Sequence, residues 1–132
     1  QEWILRTFYE PLQKTPRFTE LFLHVKGMGK YHNGSHVPVQ GAYPVDQWLQ
    51  GELVEDDYRF TVPGDWPPGE YEAWMGFWSP NSDSEMQRLA PVGEGLAIDK
   101  EFRVKLPSLR VVPKGSLPKP AAVPAALTPT SP

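Results

Sequence analysis

Three histidines and a few carboxylates are the side chains in this sequence that could bind a metal or transfer protons. His24 lies in an apolar stretch, whereas His32 and His36 lie in "YHNGSHVP", upstream of Asp46. Imidazole and carboxylate groups that converge can hold a transition metal or move protons in hydrolysis. The segment around His32 and His36 has no regular geometry that would bring these groups together. A metal-dependent enzyme is therefore kept as an alternative, which requires His32 or His36 to meet a carboxylate.

The acidic residues of "GELVEDDY" are the second group with chemical potential. Neighbouring residues on a strand point to opposite faces, so these side chains should not converge. We interpret them as solvated charges on a strand face and edge: Glu52, Glu55, Asp56 and Asp57. No nucleophile elbow, phosphate loop or dinucleotide fingerprint occurs. The sequence therefore predicts no enzyme activity, no catalytic residue, no bound metal and no cofactor.

A pair of tryptophans in "EYEAWMGFW" is the strongest sign of a binding surface. Alternation along a strand puts Trp74 and Trp78 on the face opposite Tyr71 and Met75, which belong to the core. Flat aromatic faces stack on sugar rings or on bases. The tentative ligand-binding residues, which include three from the upstream loop, are Trp74, Trp78, Trp48, Tyr43 and His36.

Packing is the competing interpretation of the same two tryptophans. Residues 27–51 form a long stretch that is rich in glycine and contains Tyr31, Tyr43 and Trp48. Such a loop could fold over the tryptophan face as a second small core. We expect at least one of the two indoles to be buried, because Gly76 between them lets another part of the chain approach closely.

Composition restricts the class of protein and of partner. The 132 residues suit one domain with a single core, and a net charge of −3 argues against a nucleic-acid partner. The chain has no cysteine, which excludes disulfides and thiolate metal sites. No apolar run is long enough to span a bilayer. Because the chain starts at Gln1, we expect a processed protein or a domain of a longer one.

Alternating apolar residues between proline- and glycine-rich turns predict strands and no long helix. The predicted strands are "EWILRTFYE", "TELFLHVKG", "GELVEDDYRFTVP", "EYEAWMGFW", "AIDKEFRVKL" and, at an edge or as the exit of the chain, "LRVV". "SPNSDSEMQRLAPVGEG" is predicted to be a loop. Strands with regular turn signals favour an all-β fold, an immunoglobulin-like antiparallel β-sandwich of about seven strands.

A change in composition near residue 112 predicts the end of the folded domain. Residues 113–132, "PKGSLPKPAAVPAALTPTSP", contain many prolines and alanines and no aromatic residue, so they cannot pack as an element of their own. We predict a β-sandwich domain at residues 1–112 and a disordered tail or linker at residues 113–132. A polyproline ligand for a partner is the alternative for the tail.

An ordered set of short phrases in residues 21–89 resembles a known family. The phrases are "LFLHV", "HVPVQGAYPVDQWLQGELVEDDYRFTVPGDWPPGEYEAWMGFWSP" and the later "RL". They are similar to the extracytoplasmic β-sandwich domain at the C-terminal end of some bacterial multi-pass membrane glycosyltransferase-like proteins of the mannosyltransferase type. Shared features include H-x-P-x-x-G-x-Y-P, W-x-x-G-E-x-V-x-D and P-P-G-x-Y. The match covers about half of the chain.

The resemblance implies an immunoglobulin-like fold and a non-catalytic accessory or interaction role in the cell envelope. It carries over no catalytic residues, since the transferase chemistry of such proteins belongs to their membrane part. It implies an extracytoplasmic location, periplasmic or at the cell surface, and a protein or glycan partner there. A membrane would be reached only through another part of the parent protein. The alternative function from the residues themselves is a carbohydrate-binding module that uses exposed aromatics.

Overall fold

Alternating apolar residues fold into two antiparallel sheets that pack face to face. The computed structural model describes residues 1–79 and 87–115. The strands are β1 Glu2–Tyr9, β2 Glu20–Gly27, β3 Lys30–Asn33, β4 Val54–Thr61, β5 Gly69–Ser79, β6 Gln87–Leu89, β7 Ala97–Ile98, β8 Val104–Lys105 and β9 Leu109–Val111. One turn of 3-10 helix covers Val45–Gln47. The prediction of an all-β antiparallel β-sandwich is confirmed.

The two sheets differ greatly in width. Among the described residues, the first contains only β1 and β4, which pair over all eight residues of each strand. The second has the order β3-β2-β5-β8-β7, and β6 and β9 also pair with β5. With 11 residues, β5 is the longest strand, and it holds four neighbours along its two edges. It is therefore the strand around which the second sheet is organised.

The core forms between the two sheets because one face of each strand is apolar. Leu21, Leu23 and Val25 point inward from β2, as their spacing predicts. They meet an aromatic cluster of Trp3, Phe60, Trp66 and Tyr71, with ring centroids 4.9–6.2 Å apart. Aromatic pairs at such separations stabilise a core beyond the area they bury.

Tyr71 fixes the turn that enters β5. Its ring is fully buried, and its hydroxyl donates a hydrogen bond of 2.6 Å to the backbone oxygen of Pro67, four residues earlier. A tyrosine that bonds back to the preceding backbone in this way is a hallmark of immunoglobulin-like sandwiches. Gly69 supports the same turn with a φ of 147°, in the range that favours glycine.

One predicted strand, "AIDKEFRVKL", is a hairpin in the structure. Asp99 follows the last residue of β7, and its carboxylate accepts hydrogen bonds from the backbone N–H groups of Glu101 and Arg103. Phe102 then takes a left-handed φ of 59°, and the chain returns as β8. An aspartate that bonds to backbone groups just after itself is a strong turn former, and it overrides the apolar alternation. The predicted loop also differs, because its residues Gln87–Leu89 form β6.

The predicted tail lies almost entirely outside the described residues, so its character and the boundary at residue 112 stay predictions. The last described strand, β9, ends at Val111. In the described part of the chain, no helix is long and apolar enough to cross a bilayer.

Replacing Tyr71 by Phe should lower the free energy of unfolding by about 1 kcal/mol, the typical net value of one hydrogen bond. The ring and its packing would stay, whereas the carbonyl of Pro67 would lose its partner. Urea unfolding of the two proteins measures the difference. Tyr31→Phe is the matched control, because Tyr31 is 59% exposed and should give no change. Equal losses in both variants would refute the role of the Tyr71 hydroxyl.

Candidate functional site

An ion pair between the half-buried His36 and the buried Asp56 links two segments of the fold. His36 Nε2 lies 2.6 Å from Asp56 Oδ2, and Asp56 is only 1% exposed. The other ring nitrogen, Nδ1, lies 2.6 Å from the backbone oxygen of Gly34. The imidazole stacks on the ring of Tyr58 with centroids 4.4 Å apart. The loop after β3 is therefore tied to β4 from across the sandwich.

The partners of His36 determine its charge. A carbonyl oxygen and a carboxylate oxygen can only accept hydrogen bonds, so both ring nitrogens must donate. That is possible only for the doubly protonated imidazolium. Burial alone would lower the pKa of His36, but the hydrogen bonds to Asp56 and Gly34 and the charge of Asp56 outweigh it and raise the pKa.

Asp56 also holds a strained turn. Its second oxygen, Oδ1, accepts a 2.8 Å hydrogen bond from the backbone N–H of Val39. Val39 and Gln40 both have left-handed φ values, 57° and 54°, and a β-branched residue seldom adopts this conformation. Strain of this kind costs about 1–3 kcal/mol per residue and persists only where neighbours fix it. One carboxylate thus fixes both ends of the segment from His36 to Val39.

Polar residues between Tyr43 and Glu52 also bind one another. The hydroxyl of Tyr43 donates to Oε1 of Glu52, and this oxygen also accepts the N–H of Leu49. The indole Nε1 of Trp48 donates to the backbone oxygen of Tyr43. Hydrogen bonds from Tyr43 and Leu49 lower the pKa of the Glu52 carboxyl. These hydrogen bonds within residues 43–52 stabilise the loop that precedes β4.

The interpretation of all four carboxylates as solvated charges is wrong for Asp56 and incomplete for two others. Asp56 is buried because His36 and Val39 supply the hydrogen bonds that water would otherwise provide. Glu52 is bound within the loop, and Asp57 takes both of its bonds from Arg6, at 2.8 and 3.0 Å. Glu55 is exposed, as predicted.

The three histidines do not come together. His24 lies beside Phe22 and Tyr31, while His32 bonds through Nε2 to the hydroxyl of Tyr58 at 2.7 Å. Burial lowers the pKa of both His24 and His32, with Arg88 and Arg103 adding to the effect at His24. Within residues 1–79 and 87–115, no three metal-binding side chains converge. His36 meets a carboxylate, as an enzyme would require, but that carboxylate is Asp56 rather than Asp46.

An open groove of about 360 Å³ lies beside the ion pair. Its lining residues come from three segments of the chain: residues 18–21, 35–38 and 44–46. An isolated β-bridge between Leu21 and His36 joins the first two segments. Phe18 and Val37 contribute exposed apolar surface, at 52% and 45% exposure. Glu20 and Asp46 make the groove acidic.

Phe18 reaches the groove through a second strained backbone position held by a carboxylate. Its φ is 65°, and its N–H donates a 2.8 Å hydrogen bond to Oδ2 of Asp46. The guanidinium of Arg17 lies 4.9 Å from the centre of its ring. Sequence reasoning missed this residue, because nothing in "TPRFTE" indicates that a distant aspartate sets its conformation.

The tryptophan face of β5 is covered from the β7–β8 side. Arg103 and Lys105 lie 4.7 and 6.0 Å from the ring centre of Trp74. Phe22 lies against Gly76, so that a Cβ there would come within 2.5 Å of its ring, and Arg88 covers Phe22 at 4.9 Å. Trp74 and Trp78 are both half-buried. The expected burial of at least one indole is thus met only in part.

The idea that Trp48 and Tyr43 cover this face is wrong. Trp48 is 4% exposed and packs on the core side, where it contacts Tyr9 and Phe77 with ring centroids 5.3 and 5.8 Å apart. The loop turns inward because Trp48 finds apolar partners at the end of β1. The five predicted ligand residues therefore lie in three places: Trp74 with Trp78, Trp48 with Tyr43, and His36 at the groove.

Comparisons with protein-family models, with curated proteins and with solved structures found no match to this chain. Function must therefore be inferred from the chemistry of its own residues.

The charge on His36 predicts a pH dependence of stability. A raised pKa in the folded state means that the imidazolium stabilises the fold fully below the ordinary value of 6.5. Above that value the unfolded chain loses its proton first, so stability falls until the pH passes the folded pKa. The free energy of unfolding in urea, measured at a series of pH values from about pH 5 upward through the range in which histidine titrates, gives this loss.

Asp56→Asn is the matched control, because an amide can still accept from Val39 and can donate to a neutral His36. The loss between pH 6.5 and the folded pKa should therefore be absent from this variant. Asp56→Ala removes both bonds and should cost about 3–5 kcal/mol, as for other broken buried pairs. If the free energy of unfolding depended on pH in the same way in the wild type and in Asp56→Asn, this result would contradict the charged pair.

Proposed function

We propose that this chain is a non-catalytic accessory or interaction domain of a cell-envelope protein, located outside the cytoplasm. The observation that carries this proposal is the mutual bonding of the polar residues in its family-like phrases. His36 bonds to Asp56, and Tyr43 bonds to Glu52. Residues that satisfy one another stabilise a loop and leave no reactive group for a substrate.

The contrast with an enzyme is clearest at His36. A general base needs a ring nitrogen with a free lone pair, within hydrogen-bonding reach of the proton it removes. Both nitrogens of His36 lie 2.6 Å from protein oxygens, and both oxygens of Asp56 take part in hydrogen bonds within the protein. This arrangement supports a structural role for the only histidine–carboxylate pair found among the described residues.

The groove is the best place for a partner to bind. Its walls are fixed before binding, since Asp46 holds Phe18 and Asp56 holds Val39. A site that is ordered in advance loses less entropy when a ligand binds. The resemblance of residues 21–89 supports a partner in the envelope, either a protein or a glycan associated with glycan transfer.

A carbohydrate-binding module is the second candidate, and the groove is the observation that favours it. The exposed ring of Phe18 offers an apolar surface for a sugar. Hydroxyl and carboxylate groups line the same groove: Thr19, Ser35, Glu20 and Asp46. A volume of about 360 Å³ is at the small end of the range for ligand pockets, so it suits one or two sugar units.

Titration of the isotope-labelled chain with a panel of envelope glycans and peptides tests both candidates. NMR spectra of the chain report binding, and spectra of the ligands report turnover. We expect every ligand to stay chemically unchanged. Under the carbohydrate candidate, a neutral glycan should shift the amide signals of Phe18, Val37 and Asp46, and Phe18→Ala should weaken binding about tenfold, or 1.4 kcal/mol.

Trp78→Ala is the control for the location of the site. A loss of glycan binding in Trp78→Ala but not in Phe18→Ala would move the site to the tryptophan face. Turnover of any ligand by the wild type that disappears in a folded Asp56→Asn protein would contradict the non-catalytic proposal itself.

A further inference from the structure

The open edge of β1 has features that suit pairing with a second copy of this chain. In the part of the chain that the structure describes, β1 and β4 pair only with each other. Each of these eight-residue strands therefore leaves one edge of backbone N–H and C=O groups without a strand partner. Such an edge is a template for pairing with another strand.

The direction of the backbone bonds identifies which residues of β1 face its open edge. The N–H of Val62 donates to the oxygen of Gln1 at 2.8 Å, which places Gln1 in a hydrogen-bonded pair with the strand beside it. Bonding direction alternates along an antiparallel strand, so the odd-numbered residues bond to β4. The even-numbered residues, Glu2, Ile4, Arg6 and Phe8, turn their backbone groups to the open edge.

The side chains of these even-numbered residues are self-complementary. Ile4 is 48% exposed, an unusual position for a large β-branched residue on a strand with an open edge. It lies midway between Glu2 and Arg6, which carry opposite charges. When two copies of β1 run antiparallel with Ile4 opposite Ile4, each Glu2 lies opposite Arg6 of the other copy.

We propose that this chain forms a two-fold symmetric dimer through β1, with Ile4 at the axis and a Glu2–Arg6 ion pair on each side. In a two-fold symmetric dimer, both copies use the same surface, so a contact of Glu2 with Arg6 of the other copy occurs twice. Pairing joins two two-stranded sheets into one four-stranded sheet. Opposite charges and apolar pairs across strands each contribute about 0.2–1 kcal/mol.

The salt bridges already present on this sheet engage part of each side chain: Arg6 binds Asp57 through Nε and Nη2, so Nη1 is the group that would meet Glu2 of the other copy. Arg6 bonds to Asp57, and Glu2 lies 3.0 Å from Arg59, yet Glu2 keeps 48% of its side chain exposed. The edge of β4 is less suited to the same role. Pairing of two copies centred on Asp57 would place the two Asp57 carboxylates opposite each other at the axis, which destabilises a sheet, although Glu55 would face Arg59.

Because the chain has no cysteine, a single Ile4→Cys substitution tests both the dimer and its register. Opposed residues of a hydrogen-bonded pair have Cα atoms about 5.5 Å apart, within the range that a disulfide spans. Mild oxidation should therefore link two chains through residue 4. Leu49→Cys is the control, since Leu49 is also exposed but follows Trp48, which packs on Tyr9 at the end of β1. Antiparallel pairing centred on Ile4 would keep the two copies of this end far apart, so Leu49→Cys should not form linked dimers.

Sedimentation of the full 132-residue chain over a concentration series gives the second readout. The wild type should reach the mass of two chains, and Ile4→Lys should weaken dimerisation by at least about tenfold, or 1.4 kcal/mol, because two lysines would meet at the axis. Leu49→Lys should behave like the wild type. A wild type that stays monomeric, a dimer that Ile4→Lys does not weaken, or cross-linking no faster in Ile4→Cys than in Leu49→Cys would overturn the proposal.

Discussion

The carboxylate of Asp56 is the group on which the loop side of this structure depends. It is buried between the sheets and accepts one hydrogen bond from His36 and one from Val39. Taking a charge out of water is costly unless it is paired and hydrogen-bonded, and Asp56 meets both conditions. Its position on β4 couples the two-stranded sheet to the segment that follows β3. Together with the β-bridge between Leu21 and His36, this side chain fixes the path of residues 34–41.

The functional conclusion depends on the same interaction. A segment fixed by Asp56 on one side and a turn fixed by Asp46 on the other define the groove and give it a stable shape. Asp56 bonds through both carboxylate oxygens and Asp46 through Oδ2, so these groups act as supports of the groove walls. For this reason we propose a binding role for the groove.

Local patterns in the sequence predicted the strands, because alternation depends only on neighbouring residues. Leu21, Leu23 and Val25 lie in the core for this reason. The positions that the sequence did not predict, those of Asp56 and Phe18, share a different cause. Asp56 is buried by a histidine 20 residues away, and Phe18 is held by an aspartate 28 residues away. No local pattern contains such partners.

For the tryptophan face of β5, the sequence predicted which face each residue occupies but not which segment covers that face. Parity along β5 correctly separated Trp74 from Tyr71 and Met75. It could not tell which segment covers the indoles, since this depends on the hairpin that Asp99 starts. The sequence around His36, Tyr43 and Asp56 did not indicate which partner each of these residues bonds to. In the structure, His36 bonds to Asp56, and Tyr43 bonds to Glu52.

The protonation state of the His36 ring tests this account most directly. Nitrogen-15 NMR distinguishes a protonated ring nitrogen from one with a free lone pair. At pH 6.5, the ordinary pKa of histidine, the account predicts that His36 is mainly the imidazolium, with protons on both Nδ1 and Nε2. Raising the pH further should then remove one proton. A ring that is mainly neutral at pH 6.5, with one unprotonated nitrogen, would contradict the buried ion pair and the role assigned to Asp56.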